Sequence, residues 1–195
     1  MSKQRELYIV RHGETLWSKT GQHTGLTDIP LTENGEDQAK RLGKRLLNFS
    51  FDHVFVSPLK RALDTCTLCG LKEKAKVTNA LLEWDYGDYE GKTTAEIRQN
   101  DPDWSVFESG CPNGESVESV KKRADDFIEN LSRLKGNIVL FSSGHFSRVL
   151  ATRFLKLPIS NACHFILTTA SLSILSYEHQ NPVFKLWNDV SHHSQ

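Results

Sequence analysis

Four places in the sequence put a reactive polar side chain shortly after an apolar run: Arg11 with His12, then Arg61, then Glu83, then His145. A neutral imidazole is a nucleophile toward phosphorus, and neighbouring cations favour its uncharged form. The planar fork of arginine matches a phosphoryl group through paired, charge-assisted hydrogen bonds. A carboxylic acid beside them can protonate a departing oxygen and later activate water. Two arginines, two histidines and one carboxylate in one crevice therefore suit phosphoryl transfer. There is no aspartate-rich or His-x-x-x-His pattern, so neither a metal nor another cofactor is expected. Taken singly, each residue has an ordinary alternative. Arg61 reads equally as a solvated helix residue, Glu83 as a surface carboxylate and His145 as a turn histidine. Their recurrence after successive strands is what sets them apart.

The elements that must position them alternate. Leu7-Tyr8-Ile9-Val10 is a buried strand by length and β-propensity, and Gly13 lets the chain turn sharply beyond it. Residues 16–31 read as a long polar loop, a length that in compact domains often signals function. Thr32 is an N-cap for a helix with Ala39, Leu42, Leu46 and Leu47 on one face. His53-Val54-Phe55-Val56 is a second strand, and Pro58 suits the start of the helix that carries Lys60, Arg61 and Leu63. Lys76 to Leu82 is extended or loop-like. Thr93 and Glu96 make a capping box for a short helix, and 101–115 is irregular. Val117, Val120, Ala124, Phe127, Ile128, Leu131 and Leu134 have helical spacing. Ile138 to Phe141 is a third clear strand, Ser147 to Leu155 a helix, and Ser171 to Tyr177 and Val183 to Leu186 closing strands. This alternation predicts an α/β fold: a three-layer α/β/α sandwich, its central sheet mainly parallel and covered by helices on both faces. Right-handed crossovers bring the parallel strand ends to one edge, where ligands bind.

With 195 residues, no internal repeat and no linker, residues 1–195 read as one domain. Lys+Arg and Asp+Glu are both 24, a balance that points away from nucleic-acid and membrane-surface partners. Met1 to Glu6 runs straight into the first strand without a signal-peptide core, and no stretch is long enough to span a bilayer. The expectation is a soluble, cytoplasmic protein. Cys66 and Cys69 form a C-x-x-C inside a helix and lack further ligands at zinc-finger spacing, so they read as small buried hydrophobes. His192 and His193 read as a frayed tail.

Arg11-His12-Gly13-Glu14-Thr15 resembles the R-H-G-[E/Q]-[S/T] signature of the histidine phosphatase superfamily, in its phosphoglycerate mutase-like branch. The resemblance extends through Thr24-Gly25-Leu26-Thr27-Asp28, Ser57-Pro58-Leu59-Lys60-Arg61-Ala62, Glu83-Trp84-Asp85-Tyr86-Gly87 and Gly144-His145, in the family's order, covering nearly the whole chain. Trp17-Ser18 and Glu83 to Gly91 are most similar to mycobacterial acid phosphatase-like members and fungal sedoheptulose-bisphosphatase.

The resemblance implies that His12 becomes a phosphohistidine, that Arg11, Arg61 and His145 clamp the phosphate, and that Glu83 donates the proton. It places Gln22, His23, the Thr24-Gly25 backbone and Tyr86 on the substrate side, with Glu14 orienting its neighbours. Ser18 stands where many members have asparagine, and its hydroxyl is expected to give the phosphate one hydrogen bond. Phe146 follows the second histidine; its N–H is expected to reach the phosphate and its ring to narrow the pocket. The expected function is a metal-independent phosphatase acting on small phosphorylated metabolites, sugar phosphates foremost. A cofactor-dependent mutase shares these residues, but the family's mutases carry a longer insert after the acidic loop than Gly91 to Ser116 provides. A non-catalytic phosphate-binding module is the rival from another class. Composition leaves the oligomeric state open.

Overall fold

In a computed structural model, residues 5–194 are described. The sequence reading of Met1 to Gln4 lies outside them. At the centre is β1 (Leu7–Arg11). It pairs in parallel with β4 (Ile138–Ser142), Leu7 opposite Ile138 and Arg11 opposite Ser142. On its other side it pairs antiparallel with β5 (Leu172–Glu178). With β2 (His53–Val56), β3 (Ala75–Val77) and β6 (Asn181–Asp189), the sheet runs β3-β2-β4-β1-β5-β6. The first four strands in that order are mutually parallel. Their carboxyl ends share one edge, and the closing pair is antiparallel.

Alternate side chains of β1 serve two cores, so the strand is apolar throughout. Leu7 and Ile9 pack in one cluster with Val120, Phe127, Val149 and Leu150; Tyr8 and Val10 pack in the other with Leu42, Leu46, Ala62 and Cys66. Ile9 and Val10 are wholly buried, each stabilising by about 2 kcal/mol on area grounds. The first cluster draws on α6 (Val117–Ser132) and α7 (Gly144–Phe154), the second on α2 (Glu33–Leu46) and α3 (Lys60–Leu68). Helices thus cover both faces, the three-layer sandwich expected. No helix among the described residues is long and apolar enough to cross a membrane.

Several local expectations need correction. Residues 16–31 are not all loop, because α1 (Leu16–Thr20) opens on a capping box between Thr15 and Ser18. Two short helices lie further along: α4 (Thr94–Ile97), started by the Thr93–Glu96 capping box as expected, and α5 (Val106–Ser109), inside the stretch read as irregular. Leu47 closes α2 and is exposed, not on its buried face. Pro58 precedes Leu59, the N-cap of α3, so it sits outside the helix. α7 begins at Gly144, not Ser147, which puts His145 in its first turn. His192 is not frayed: it is buried, and its Nε2 bonds the Ala170 carbonyl at 2.9 Å. Cys66 and Cys69 are buried as expected, and burial pushes the Cys66 thiol up to about 12.

One close approach fixes the chain just past β1. A Cβ on Gly13 would lie 2.4 Å from the Gly35 carbonyl oxygen, and a Cβ on Gly35 would lie 2.1 Å from that of Glu14. Only glycine at both positions lets α2 sit against this turn. Thr32 completes the joint: its N–H and its hydroxyl both bond Glu14, and its hydroxyl also caps α2 at Gly35 N–H.

Candidate active site

His12 continues the edge of β1, its N–H donating to the Ser142 carbonyl at 2.9 Å. The ring is 3 % exposed, and its Nδ1 lies 2.7 Å from the Gly13 carbonyl. A carbonyl only accepts, so Nδ1 carries the proton. Burial first, then the Arg61 and Arg11 charges, holds this histidine well below its ordinary pKa. The ring is therefore neutral, and Nε2 keeps its lone pair free.

Two guanidinium groups flank it. Arg61 is completely buried on α3, so it is not a solvated helix residue. Its Nη1 donates to the Thr27 carbonyl at 2.9 Å and its Nη2 to that of Gly25 at 2.7 Å. Arg11 donates from Nη1 to the Leu167 carbonyl. In both residues Nε is buried with no hydrogen-bond partner among the described residues. Both bond carbonyl oxygens and not carboxylates, an expensive arrangement that an incoming anion would relieve. The carbonyls that hold Arg61 are themselves clasped. Glu90 accepts the Leu26 N–H at 2.6 Å, the Thr27 N–H at 3.0 Å and the Thr27 hydroxyl.

Glu83 lies beyond β3 and is 6 % exposed. Its Oε1 accepts the N–H groups of Trp84 (2.9 Å) and Phe146 (2.7 Å), and its Oε2 accepts that of His145 (3.0 Å). The first turn of α7 has orphan donors, and Ser143, its N-cap, makes no side-chain cap bond. The carboxyl group of Glu83 supplies the cap, its oxygens accepting the N–H groups that the Ser143 side chain leaves unbonded. Arg123 braces the same segment. It donates to the Ala80 and Leu82 carbonyls and forms a two-point pair with Glu115 at 2.7 and 3.0 Å.

His145 presents Nδ1 to the Tyr86 hydroxyl. Burial, then the charge of Arg148, holds it well below the ordinary histidine value. His23 packs against Tyr86 with ring centroids 4.6 Å apart and planes tilted by 31°, and bonds the Thr94 hydroxyl at 3.1 Å. All five of Arg11, His12, Arg61, Glu83 and His145 open onto one pocket of about 250 Å³. A neutral nucleophilic nitrogen, two under-bonded guanidiniums, a second imidazole and a carboxyl group thus converge on a space sized for a small phosphoester.

The sequence profile of the histidine phosphatase superfamily (branch 1) matches residues 7–190. This chain belongs to that family. It is 45 % identical over 181 residues to an acid phosphatase of Mycobacterium tuberculosis, covering 91 % of this chain and 89 % of the relative. It is 34 % identical to the sedoheptulose 1,7-bisphosphatase of Saccharomyces cerevisiae, covering 91 % and 82 % respectively. A solved structure of an open reading frame product from Mycobacterium tuberculosis superposes with a TM-score of 0.91 at 42 % identity, over 95 % of this chain and 98 % of that one.

For this histidine phosphatase, most substrate-side expectations find their residues at the pocket: Ser18, Gln22, His23, Thr24 and Tyr86 all line it. Two hydroxyl or amide groups among them are already committed. Ser18 Oγ accepts the Thr15 N–H at 2.8 Å and donates to the Thr15 carbonyl at 3.0 Å, bonds made at the capping box that opens α1. The Gln22 amide donates to the Gly91 carbonyl at 2.8 Å. Gly25 contributes a carbonyl to Arg61 and does not line the pocket. Phe146 departs furthest. Its N–H is spent on Glu83, and its ring is wholly buried in the core, with Arg123 4.2 Å above it. It does not narrow the pocket. Glu14 bonds the Thr32 hydroxyl at 2.7 Å, away from the pocket, consistent with an orienting part.

Thr94, Arg148 and Leu167 also line the pocket and were not singled out from sequence. Arg148 was within reach. A helix begun at Gly144 puts it one turn from His145, on the same face, whereas a helix begun at Ser147 hides that relation. Leu167 carried no signal.

Proposed function

We propose that this chain is a metal-independent phosphomonoesterase that hydrolyses small phosphorylated metabolites, sugar phosphates among them, through a phosphohistidine on His12. The observation that carries this reading is the His12 ring: neutral, proton on Nδ1, Nε2 free, and acted on by two buried guanidiniums whose Nε groups lack partners among the described residues. Nε2 attacks phosphorus in line, the ester P–O bond breaks, and Glu83 gives its proton to the departing oxygen. Water then attacks the phosphohistidine and loses a proton to Glu83. The P–N bond breaks and inorganic phosphate leaves. Arg11, Arg61 and His145 hold the equatorial oxygens throughout, a fixed electrostatic environment of the kind that dominates phosphoryl transfer. The charge that a metal would otherwise neutralise is met by these groups.

Support for hydrolysis comes from the similar acid phosphatase and sedoheptulose bisphosphatase. The segment from Gly91 to Ser116 also favours it, being occupied by two short helices whose Ile97, Val106 and Phe107 pack into the core. We place the protein in the cytoplasm, where phosphorylated metabolites are held and where its four free cysteines stay reduced. The test is phosphate release from a panel of sugar phosphates, nucleotides and phosphoglycerates with chelator present, for wild type and His12→Ala. Release that persists in chelator and is lost in the variant is expected. Isomerised phosphoglycerate without net release would assign a mutase, and binding without turnover a phosphate-binding module.

A further inference from the structure

Arg11 and His12 are both held by the stretch of chain between α7 and β5. The Leu167 carbonyl accepts Arg11 Nη1, and the Ala170 N–H donates to the His12 carbonyl at 2.9 Å. Thr168 to Ser171 is a tight turn, closed by the Ser171 N–H on the Thr168 carbonyl at 3.2 Å. Ala170 is the third residue of that turn, with a φ of 50°. This left-handed conformation suits glycine and is costly for a residue with a Cβ. A turn of this kind keeps its shape only where its surroundings hold it.

The end of β6 and the turn beyond it do the holding. Three side chains there bond alternate residues of the stretch. Trp187 Nε1 donates to the Ile166 carbonyl at 2.8 Å. Asn188 Oδ1 accepts the Thr168 N–H at 2.6 Å, and its Nδ2 donates to the Thr168 hydroxyl at 3.2 Å. His192 Nε2 lies 2.9 Å from the Ala170 carbonyl; a carbonyl only accepts, so that nitrogen carries the proton. The His192 ring is buried, and its Nδ1 has no partner among the described residues. Its hydrogen bonding is thus spent on Ala170 alone. The turn that carries it is itself fixed. Asp189 accepts the Ser191 N–H at 3.0 Å and pairs with Arg45 of α2, and Arg41 of the same helix donates to the His193 carbonyl.

We propose that His192 is a positioning residue for the nucleophile: by bonding the Ala170 carbonyl it holds the left-handed turn in the orientation that delivers the Ala170 N–H to His12, with Asn188 as the second anchor of the same turn. The inference rests on the phosphatase reading of His12 and adds to it the residues that aim the ring. His192 does not line the pocket. It acts through two hydrogen bonds in series, His192 to Ala170 and Ala170 to His12. In-line attack needs the imidazole aligned with the ester bond, and a misplacement of about 1 Å costs about a hundredfold in rate. Phosphate binding depends less on this contact. The Leu167 carbonyl that anchors Arg11 is held on its other side through Trp187 and Asn188, so it stays when the His192 bond alone is lost. The effect of His192 therefore falls on kcat and not on KM.

The experiment compares His192→Phe, which keeps a buried ring but has no donor, with His192→Gln, which keeps an N–H donor at similar reach. Both are assayed with the substrate that wild type turns over fastest, well below the Tm of each variant. In His192→Phe, kcat is expected to fall by about tenfold or more while KM stays within about twofold. His192→Gln should recover kcat to within about threefold of wild type, the range of one imperfect hydrogen bond. A stability role alone would leave kcat of the folded protein unmoved and blind to the donor. The inference is overturned if folded His192→Phe keeps the wild-type kcat. Equal loss in the two variants overturns it as well, and so does a raised KM with kcat intact. If His192→Phe does not fold, Asn188→Gly, which keeps the left-handed backbone of residue 188 (φ 54°) and removes the amide, must lower kcat; an unchanged kcat there overturns the inference. No release from any phosphoester by wild type would defeat the phosphatase reading and this inference with it. Release by wild type that His192→Phe matches defeats this inference alone.

Discussion

The Tyr86 hydroxyl is hydrogen-bonded to Nδ1 of His145. Burial, with Glu83 nearby, raises the Tyr86 phenol well above its ordinary value, so it stays protonated. A phenol donating to Nδ1 leaves the proton of the neutral imidazole on Nε2, a donor for the phosphoryl oxygens. Tyr86→Phe is therefore expected to lower kcat/KM by about three- to tenfold, the range of one neutral hydrogen bond. Its pH profile should also shift as His145 loses its fixed tautomer. An unchanged profile would mean that the hydroxyl serves only packing.

The clasp on Arg61 predicts an effect at a distance. Glu90 does not line the pocket, yet it accepts the Leu26 and Thr27 N–H groups and so holds the turn whose Gly25 and Thr27 carbonyls hold the guanidinium. In Glu90→Gln one oxygen becomes an NH2 group facing other donors. The inhibition constant of inorganic phosphate is expected to rise by about tenfold, as for loss of charged hydrogen bonds. Equal phosphate inhibition in both proteins would show that Arg61 holds its place without the clasp.

Acid should destabilise the fold early. His12, His23, His145 and His192 are all held below the ordinary histidine value, burial being the largest cause in each. The unfolded chain, with histidines near about 6.5, then binds more protons than the folded one, and stability falls as pH drops through that value. Tm is expected to decline between about pH 7 and about pH 5, and inorganic phosphate, which favours charged His145, should reduce the decline. A flat Tm across this window would count against neutral buried rings.

The turn after β1 is predicted to be intolerant of bulk. In Gly35→Ala the new methyl would meet the Glu14 carbonyl at 2.1 Å. A cost of about 1–3 kcal/mol is expected for such overpacking, at about 2–4 °C of Tm per kcal/mol in a chain of this size. Because Glu14 is two residues from His12, activity should fall with it. A variant as stable as wild type would mean that α2 shifts freely.

The legibility of the sequence follows the physics. β1, β2 and β4 are short apolar runs, and the helices at Thr32 and Thr93 announce themselves through caps that act locally. The five residues of α1 bury no side chain and carry Ser18, not an acid or amide, at the box position, so neither periodicity nor the usual cap pattern marks them. The start of α7 was hidden because its cap is Glu83, about 60 residues away in the chain. That non-local cap, two hydrogen bonds to one carboxyl group, accounts together for the helix start, the fate of the Phe146 N–H and the place of Arg148 on the His145 face. The five reacting groups were legible because each follows a strand. Leu167 lies in the connection between α7 and β5, where no such rule applies.

The central claim is a covalent bond between His12 and phosphorus. The most direct measurement is rapid acid-free quenching of wild type during turnover in chelator, followed by mass spectrometry of the peptide that carries residue 12. A transient, acid-labile phosphoryl group on His12, absent from His12→Ala, is the result expected. Turnover with no label on the protein, or a label on another residue, would contradict the account.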